Sequence, residues 1–490
     1  MQDKFEKKEL KKKSENLSDW YSDVILKAEL ADYGPAKGTM VIRPYGYSIW
    51  ENIQKTLDSW FKEYGIENAY FPLFIPMKLL NKEKSHIAGF SPELWVVTHG
   101  GGKKLAEPLA VRPTSETIMY EMYSKWIKSW RDLPYLINQW NNVVRYEVHT
   151  YLFLRTSEFL WQEGHTVHET EGDAMEMVFE ALEWYRRLYE EYLAIPVISG
   201  IKSESERFAG AKATYTLEAL MPDGKALQGG TSHNLGQNFS KAFNLNFQGR
   251  DGKEDFAWQT SWGLSTRSMG GLFLTHGDDH GVIIPPKIAP IQVIIIPIYS
   301  KDANETDINI YIEAIAEDLQ KKNIRIKIDR REGQSVGRKF NDWEVKGVPL
   351  RFEIGDKEKT EKTITMTKRN TGEKLTFGRS EIDIETSNQL DAIQQEMFVN
   401  AQDFMNKNTF EADTYDRFKE IMGSTRGFIK AFWCEDATCE AKIKEETKAS
   451  TRVKPLDLPA GKASLEEGKT EKCIYCGKDA KSIWYFGQSY

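Results

Sequence analysis

The chain has 490 residues, of which 40% are hydrophobic and 28% charged, a balance that fits about three globular domains and excludes fibrous or wholly disordered proteins. The net charge of −7 disfavours a protein that coats nucleic acid nonspecifically, although it is compatible with a local basic patch. The longest apolar run is far shorter than the roughly 20 residues of a membrane span, and the N-terminus is rich in Lys and Glu and lacks the apolar region of a secretion signal. These features predict a cytoplasmic protein without a membrane anchor.

Composition and hydrophobic patterning divide the chain into four segments. Trp and Tyr are frequent up to about residue 285, and beyond it an apolar β-rich run is followed by an amphipathic helix over 306–322 and a short strand over 324–328. A charged helix is predicted before Asn16, and a long polar helix is predicted over 388–406. The predicted segments are a charged N-terminal extension (1–16), a large domain (17–286), a compact α/β domain (287–386) and a C-terminal domain (387–490).

The first candidate functional motif is Arg112-Pro113-Thr114-Ser115-Glu116. Pro113 restricts the backbone of its neighbours, which places the Thr114 hydroxyl and the Glu116 carboxylate close together. The same residues also fit the start of a helix, with Thr114 as a capping residue. Both interpretations stay open from this motif alone.

The second motif covers residues 143–166 and places charged and aromatic side chains at alternating positions. These side chains are Arg145, Glu147, Arg155, Phe159, Trp161, Glu163 and His165. Because a β-strand directs alternate side chains to one face, the series predicts strands that face a ligand. Surface salt bridges on an amphipathic sheet would explain any one of these residues, but less readily the whole set.

Two shorter motifs follow in the same domain. The run from Gln228 to His233 is a turn of small and hydrogen-bonding residues, and Ser265-Thr266-Arg267 precedes a pair of glycines. Each of these motifs is a weak signal by itself.

The four cysteines form two short pairs with the spacing of a tetrahedral zinc site. Cys434 and Cys439 are separated by four residues, and Cys473 and Cys476 by two residues, with a glycine directly after the second pair. Four thiolates would make a closed, structural site with no open position for a substrate. Unpaired or disulfide-bonded cysteines are the less favoured alternative, given the predicted compartment.

The ordered series of motifs resembles that of class II aminoacyl-tRNA synthetases. The residues within the motifs resemble those of prolyl-tRNA synthetases of the archaeal and eukaryote-like form. The resemblance rests on residues 112–116, 143–166, 226–240 and 261–267, and it covers about residues 17–490. It implies an α/β (α+β) protein with an antiparallel-sheet catalytic domain, an α/β anticodon-binding domain and a small C-terminal zinc-binding α/β domain. The implied reaction joins L-proline to ATP as prolyl-adenylate with release of pyrophosphate, and then transfers the prolyl group to the terminal adenosine of tRNA(Pro).

The resemblance also implies roles for residues at the nucleotide. Arg145 would bridge the proline carboxylate and the α-phosphate, and Arg155 and Arg267 would hold the outer phosphates of a bent ATP. These three arginines are the predicted catalytic residues. Phe159 would stack on the adenine ring, and Glu147 would face its amino group. The implied ATP-binding residues are Arg145, Glu147, Arg155, Thr156, Phe159, Gln228, Thr231, Ser265 and Arg267.

A secondary ammonium group and a saturated ring distinguish proline from the other amino acids. The resemblance implies that Thr114 and Glu116 bind the ammonium group and that aromatic and histidine side chains line a slot for the ring. The implied proline-binding residues are Thr114, Glu116, Arg145, Trp161, His165 and His233. Mg²⁺ would offset the remaining phosphate charge in the neighbourhood of Gln228.

Two further surfaces follow from the resemblance. Residues Phe340, Glu344, Lys346 and Arg351 match the segment that faces the anticodon, although an ordinary solvated helix face would explain any single lysine there equally well. Pro72 matches the first motif of the family, which builds the dimer interface, so a homodimer is implied.

The chain departs from the family pattern in three places, one of which is Lys287, where arginine is usual and to which no catalytic role is assigned. Only about 100 residues separate the family's second motif, within 143–166, from its third motif, within 261–267. This short interval implies that the large inserted editing domain of bacterial-type enzymes is missing and that a separate trans-editing protein would clear mischarged alanine. Ser265 stands where the family more often has threonine, a change that keeps the hydroxyl. Two alternative functions remain, a catalytically silent synthetase-like RNA-binding or regulatory protein and, less favoured, a metal-dependent hydrolase.

Overall fold

The structure, a computed structural model, describes residues 10–86, 94–300, 304–456 and 471–490. The first half of the predicted charged extension lies outside these ranges. Within them, the expectation of a helix before Asn16 is wrong, because helix α1 begins at Leu17 and the Asn16 side chain caps it by accepting a hydrogen bond from the Asp19 amide. Lys13 instead donates hydrogen bonds to the carbonyl oxygens of Leu274 and Gly277, at 2.7 and 2.6 Å.

The first unit contains the large sheet and the helices that cover it. Its helices are α1 (Leu17–Lys27), α2 (Pro44–Tyr64), α3 (Met77–His86), α4 (Glu116–Trp126), α5 (Glu171–Arg187), α6 (Asn238–Phe243) and α7 (Arg267–His276). Its strands are β1 (Ala31–Tyr33), β2 (Met40–Ile42), β3 (Glu67–Asn68), β4 (Phe74–Pro76), β5 (Val96–Gly100), β6 (Lys103–Val111), β7 (Tyr135–Val144), β8 (Glu158–His168), β9 (Ile198–Ile201), β10 (Ala213–Leu220), β11 (Ala226–Gly236), β12 (Asn246–Gln248), β13 (Glu254–Phe256) and β14 (Trp258–Ser265). Local sequence sets some of these limits, since proline is favoured in the first turn of a helix, as at α2, and Gly65 ends α2 with a φ of 98°.

The second unit is an α/β layer whose pattern was predictable from the sequence. Its strands are β15 (Val293–Pro297), β16 (Ile326–Ile328), β17 (Leu350–Ile354), β18 (Thr363–Lys368) and β19 (Lys374–Gly378), and its helices are α8 (Glu305–Lys321), α9 (Val336–Val345), α10 (Asp356–Glu361) and α11 (Ile382–Lys407). The predicted amphipathic helix is confirmed as α8, whose buried face consists mainly of isoleucine and leucine. The predicted polar helix is confirmed as α11, which begins earlier than expected because Ile382 and Leu390 are buried in this unit's core.

The C-terminal unit holds the cysteines. Its strands are β20 (Thr409–Glu411), β21 (Phe428–Trp433), β22 (Ser450–Pro455) and β23 (Ser482–Gly487), and its helices are α12 (Tyr415–Gly423) and α13 (Ala437–Thr447). Trp433, Trp484 and Phe486 fill its core next to the cysteines. Among the described residues, no helix is both long and apolar enough to cross a membrane.

One sheet of eleven strands joins the first and third units. Its order is β20-β21-β23-β22-β9-β10-β11-β14-β8-β7-β3, and the pairs from β9 to β7 are all antiparallel. The expected antiparallel sheet is therefore confirmed, and strand β22 continues it by pairing with β9. The second unit has a separate five-stranded sheet in the order β16-β15-β17-β18-β19.

Helix α5 packs against the face of the large sheet opposite the cavity, and this packing explains why Gly229 and Gly230 are glycines. Tyr185 of this helix and Tyr189, in the π-helical turn directly after it, lie against β11. A Cβ atom at Gly230 would lie 2.4 Å from the Tyr185 side chain, and one at Gly229 would lie 2.9 Å from Tyr189. Glycine is needed at both positions because any side chain would push the helix away from the sheet.

Candidate functional site

A cavity of about 240 Å³ lies on the open face of the large sheet and gathers most of the residues predicted to bind proline or ATP. Its predicted lining residues are Thr114, Glu116, Arg145, Phe159, Trp161, His165, Gln228, Thr231, His233, Ser265 and Arg267. They come from four segments that are distant in sequence, which the antiparallel pairing of β8, β14, β11 and β10 brings side by side. Cavities of this kind, with a few convergent polar groups, are the usual place of small-molecule binding.

Strand β8 supplies one wall of the cavity. Phe159, Trp161, Glu163 and His165 occupy alternate positions and therefore share the face that lines the cavity. The rings of Phe159 and Trp161 lie with their centroids 5.7 Å apart. The prediction of a strand is thus confirmed for these four residues, whereas the earlier charged residues of the series lie in the connection between β7 and β8. Their role in binding a ligand stays a prediction.

The first motif forms the turn before helix α4, but its hydroxyls do not cap that helix. Thr114 donates a hydrogen bond to the Glu116 carboxylate, and the Ser115 hydroxyl donates to the buried carboxylate of Glu163. Ser115, at the N-cap position of α4, makes no capping hydrogen bond through its side chain. The geometry therefore favours the ligand-binding interpretation of this motif over the capping interpretation, because Thr114 and Glu116 both face the cavity.

Glu163 is the centre of a buried hydrogen-bond network that the sequence-based assignment had left without a role. It accepts hydrogen bonds from the Ser115 amide at 3.2 Å, from the Asn141 side chain at 2.6 Å, from the Gln139 side chain at 3.2 Å and from His165 at 3.1 Å. Burial alone would raise the pKa of Glu163, but hydrogen bonds and the charge of His165 lower it to about 2. The residue is therefore a fixed anion under the floor of the cavity.

His165 is held on this anion in a defined orientation. Its Nε2 faces Glu163, and its Nδ1 lies 3.0 Å from the Tyr120 hydroxyl. Burial would lower the pKa of His165, but the hydrogen bond to Glu163 and the charges of Glu116 and Glu163 outweigh it and raise that pKa. The wall below the aromatic rings is thus anionic overall, which suits a ligand that carries an ammonium group.

Two partly buried guanidinium groups form the opposite, cationic side of the cavity. Arg145 donates from Nε to the Pro113 carbonyl at 3.1 Å and lies over the Trp161 ring, and Arg267 donates from Nε to the Leu154 carbonyl at 3.1 Å. Burial lowers the pKa of both groups, and the charge of Arg145 lowers that of Arg267 further. In the described part of the chain neither forms an ion pair with a carboxylate, so both can accept an anionic ligand.

The remaining predicted nucleotide residues lie in the hairpin between β7 and β8, beside the cavity and not on its lining. The Arg155 guanidinium pairs with the Glu147 carboxylate at 2.6 Å, and its side chain is 54% exposed. It is close enough to Arg267 for its charge to lower the pKa of that group. The Thr156 hydroxyl donates to the Glu158 carbonyl at 2.7 Å. The three guanidinium groups thus lie in one neighbourhood, with Arg155 at its exposed edge.

His233 lies at the end of the cavity nearest the loop between β9 and β10. The Phe208 ring packs on its imidazole with centroids 4.7 Å apart, and the Thr214 hydroxyl lies 3.0 Å from its Nδ1. Burial lowers the pKa of His233 to about 3, with a further contribution from His165. This imidazole is therefore neutral and part of an aromatic end wall.

Several lining residues were not assigned from the sequence. They are Glu163, Lys202, Glu206, Phe208, Thr214, Gly229, Ser261, Trp262 and Gly263. Alternation with Trp161 and His165 on β8 was a signal for Glu163. Lys202 and Phe208 belong to a loop without periodicity, so only the folded sheet reveals their place.

The four cysteines meet in the C-terminal unit as predicted. Their sulfur atoms all lie within 4.8 Å of one another, and the Cys434 sulfur is 3.7 Å from those of both Cys439 and Cys476. None of them forms a disulfide bond. Four ligands at about 2.3 Å from a zinc ion would be about 3.8 Å apart in a tetrahedron, so the sulfur positions fit this ion.

The four residues matched to an anticodon-facing segment separate into two groups. The Arg351 guanidinium lies 4.0 Å from the centre of the Phe340 ring, and Arg351 and Glu344 line a small cavity of the second unit. Lys346 instead pairs with Glu29 of the first unit and is largely buried. This contact favours a structural role for Lys346 between the two units.

Three buried histidines make stability depend on pH. Burial lowers the pKa of His168 to about 4, of His233 to about 3 and of His276 to about 4, from the usual histidine value of about 6.5. The unfolded chain binds protons at these residues below pH 6.5 while the folded chain does not. We therefore expect the free energy of unfolding to fall as the pH drops from 6.5 towards 4, by about 1.4 kcal/mol per pH unit for each fully titrating histidine.

The measurement is urea unfolding of the wild type and of His276→Gln at several pH values in this window. The variant should show a shallower decline, because one buried histidine is removed far from the cavity. His149→Gln, which changes an exposed histidine, is the control and should keep the wild-type slope. Equal slopes for all three proteins would contradict the assignment of neutral buried histidines.

Comparison with family models matches each unit of the structure. Residues 95–274 match the model "tRNA synthetase class II core domain (G, H, P, S and T)". Residues 292–387 match "Anticodon binding domain", and residues 415–490 match "Prolyl-tRNA synthetase, C-terminal".

Characterised proteins resemble the chain over almost its full length. It is 49% identical to "Proline--tRNA ligase 2" of Clostridioides difficile over 98% of both chains. It is 50% identical to "Proline--tRNA ligase" of Acetoanaerobium sticklandii over 99% of this chain and 98% of the relative. The crystal structure of prolyl-tRNA synthetase from Cryptosporidium parvum with L-proline and AMP is 42% identical, with a TM-score of 0.92 over 98% of this chain and 96% of that one.

Proposed function

The chain belongs to the prolyl-tRNA synthetases, and from this premise we propose which of its residues carry the reaction. The enzyme is a proline--tRNA ligase, which forms prolyl-adenylate from proline and ATP and then charges tRNA. The observation that carries the residue assignment is one cavity with an anionic wall at Glu116 and Glu163 and a cationic side at Arg145 and Arg267. Proline is a zwitterion and ATP a polyanion, so the two ends match the two substrates.

Amino acid activation needs the proline carboxylate and the α-phosphate side by side. In this step a carboxylate oxygen bonds to the α-phosphorus while the bond to the pyrophosphate oxygen breaks, and pyrophosphate leaves. The Arg145 guanidinium reaches from the Pro113 carbonyl into the middle of the cavity, where its fork can hold both anions. Because the carboxylate is already ionised, the step needs no general base, and positioning and electrostatic stabilisation provide the rate.

The proposed proline site is the anionic end of the cavity. Thr114 and Glu116 would accept the two hydrogens of the secondary ammonium, while Trp161, His165 and His233 would surround the ring. The Glu163 anion below them holds Ser115 and His165 in place. A wall of aromatic and imidazole rings suits a saturated ring that carries no hydrogen-bonding group.

The proposed ATP site is the cationic end of the cavity with the adjoining hairpin. Arg267 and Arg155 would hold the outer phosphates, Phe159 would stack on adenine, and Glu147 and Thr156 would border the base. Gln228, Thr231 and Ser265 offer polar groups along the floor. Mg²⁺, which accompanies ATP in such enzymes, would be held beside the amide oxygen of Gln228 and would offset phosphate charge.

We propose zinc as the ion of the four-cysteine cluster, with a structural role. Replacement of Cys473 by serine should lower the zinc content from about one ion per chain to near zero and reduce the thermal unfolding midpoint, because structural zinc supplies folding free energy. Metal analysis by mass spectrometry and calorimetry are the measurements. Tyr475→Phe, between two of the cysteines, is the control that should keep its zinc. A zinc-free wild-type protein with an unchanged midpoint after chelation would contradict the proposal.

The segment limits derived from the sequence, 17–286, 287–386 and 387–490, are proposed as the catalytic, anticodon-binding and zinc-binding domains. The partners would be tRNA(Pro), with Phe340, Glu344, Lys346 and Arg351 proposed near the anticodon, and a second copy of the chain. Exposed apolar side chains at Tyr70, Phe74 and Trp95 support a dimer interface around Pro72. We further propose a cytoplasmic location, as for an enzyme that uses tRNA, and a separate trans-editing protein.

The proposal of a separate editing protein rests on the length of the interval between the family's second and third motifs. All residues of this interval, 167–260, are described, and they form α5, α6 and strands β9 to β13 without a separate domain. Mischarged alanine would therefore need a second protein for its removal.

The function is tested by proline-dependent exchange of labelled pyrophosphate into ATP. Threonine, serine, alanine and histidine serve as competing substrates. Exchange with proline at the highest kcat/KM is the expected result. Exchange that is independent of any amino acid, or hydrolysis that chelators abolish, would favour a silent or hydrolytic protein instead.

A further inference from the structure

We propose that Arg452 of the C-terminal domain is a positioning residue for the nucleotide side of the active site. The inference rests on the proposed placement of ATP near Gln228. It begins with the sheet, in which β22 pairs with β9 through Lys454 and Ile201. This pairing makes the C-terminal strands a direct continuation of the sheet that carries the cavity.

Arg452 reaches across β9 to a carboxylate of the catalytic sheet. Its Nε and Nη2 donate to the Oε2 of Glu218 at 3.0 and 2.8 Å, and Nη2 also lies 3.1 Å from Oε1. Lys202 donates from Nζ to the same Oε1 at 2.7 Å. The three side chains are almost fully buried, with exposures of 5%, 0% and 2% for Arg452, Glu218 and Lys202.

This buried triad lies directly beside the proposed nucleotide site. Glu218 on β10 is the register partner of Gln228 on β11, and paired residues of antiparallel strands direct their side chains to the same face. Lys202 itself lines the cavity. The Glu218 carboxylate is also close enough to raise the pKa of Arg267, so its charge acts on the groups proposed to hold the phosphates.

The consequence of losing Arg452 follows from this charge balance. With both cations present, the Glu218 carboxylate is paired through both of its oxygens. Without Arg452, the buried carboxylate would keep Lys202 as its sole ionic partner among the residues that the structure describes, and it would compete with the triphosphate for the cations of the cavity. We therefore expect weaker ATP binding and a smaller effect on proline, because Glu218 pairs with Gln228 in the sheet, whereas His233 of the proposed proline site pairs with Thr214, four residues earlier on β10.

A second basic residue of β22 provides a control for the loss of a positive charge from this strand. Lys454 lies two residues further along β22, and its ammonium pairs with Glu435 of the C-terminal domain itself. Its replacement removes a charge from the same strand without touching the triad. Lys454→Met is therefore the matched control for Arg452→Met.

The experiment measures KM for ATP, KM for proline and kcat in pyrophosphate exchange, together with the thermal unfolding midpoint. Arg452→Met should raise KM for ATP by about tenfold and leave KM for proline within about twofold of the wild type. Lys454→Met should change either KM by less than about twofold. If Arg452→Met does not fold, Arg452→Lys is measured instead. This variant keeps the charge but loses the two-point contact with Glu218, and it should show a smaller rise in KM for ATP.

Two outcomes would overturn the inference. One is that Arg452→Met has the same KM values for ATP and proline as Lys454→Met. If only Arg452→Lys folds, the same comparison is made with that variant. The other is a rise of both KM values in proportion to a loss of folded protein. Gln228→Ala tests the underlying placement separately. If this variant leaves KM for ATP unchanged, the nucleotide placement is wrong; if it raises KM for ATP while the Arg452 variants do not, only the role of Arg452 is wrong.

Discussion

Replacement of Arg145 by alanine is expected to lower kcat/KM for proline-dependent pyrophosphate exchange by about 1,000-fold. The guanidinium is partly buried between the proposed proline and ATP sites, and in the described residues no carboxylate pairs with it. Its free donors are therefore available for the two anions that must approach each other. Without them, the carboxylate and the α-phosphate would repel each other without compensation.

The physical basis of this effect separates it from a loss of structure. A partly buried cation without an ion-pair partner is unfavourable for folding, so Arg145→Ala should keep or slightly raise the unfolding midpoint while activity is lost. Arg145→Lys keeps the charge but not the fork, and we expect a decrease of about 100-fold. Arg131→Ala, which changes an exposed arginine outside the cavity, is the control. Near-normal exchange by Arg145→Ala would remove the assigned role.

Periodicity made much of this site predictable from the sequence. The alternation from Phe159 to His165 gave both the strand and the face that lines the cavity, because a strand repeats every two residues. The two cysteine pairs predicted their cluster, since a short loop holds two thiolates at ligand distance. The apolar repeat of α8 predicted the helix and its buried side.

Features that depend on long-range pairing were not predictable. Arg452 reaches Glu218 because β22 joins the edge of the catalytic sheet at β9, a pairing with no local signal in either strand. The stretch before Asn16 was expected to be helical from its composition, yet in its described part, residues 10–16, Lys13 instead donates hydrogen bonds to carbonyl groups at the end of α7. In both cases contacts between distant parts of the chain determine the structure, and the local sequence does not reveal them.

Glu163→Gln is expected to reduce kcat/KM for proline by about 100-fold and to destabilise the folded protein by about 3 kcal/mol. The buried carboxylate accepts hydrogen bonds from Ser115, Gln139, Asn141 and His165. A glutamine of the same shape offers one oxygen and turns an NH₂ group towards donors. Ser115 and His165 would then lose their shared anchor, and with them the position of Glu116 and the slot for the proline ring.

The dependence of this effect on pH identifies its cause. The pKa of Glu163 is depressed to about 2 in the folded state, so its stabilising contribution is complete above about 4.5, the unfolded value, and is lost as the pH falls towards 2. The stability difference between the wild type and Glu163→Gln, measured by urea unfolding, should therefore shrink across this window. Glu158→Gln changes an exposed carboxylate on the same strand and should show no such trend. A difference between wild type and Glu163→Gln that is constant from pH 7 to pH 3 would mean that shape, and not the buried negative charge, holds the proline site together.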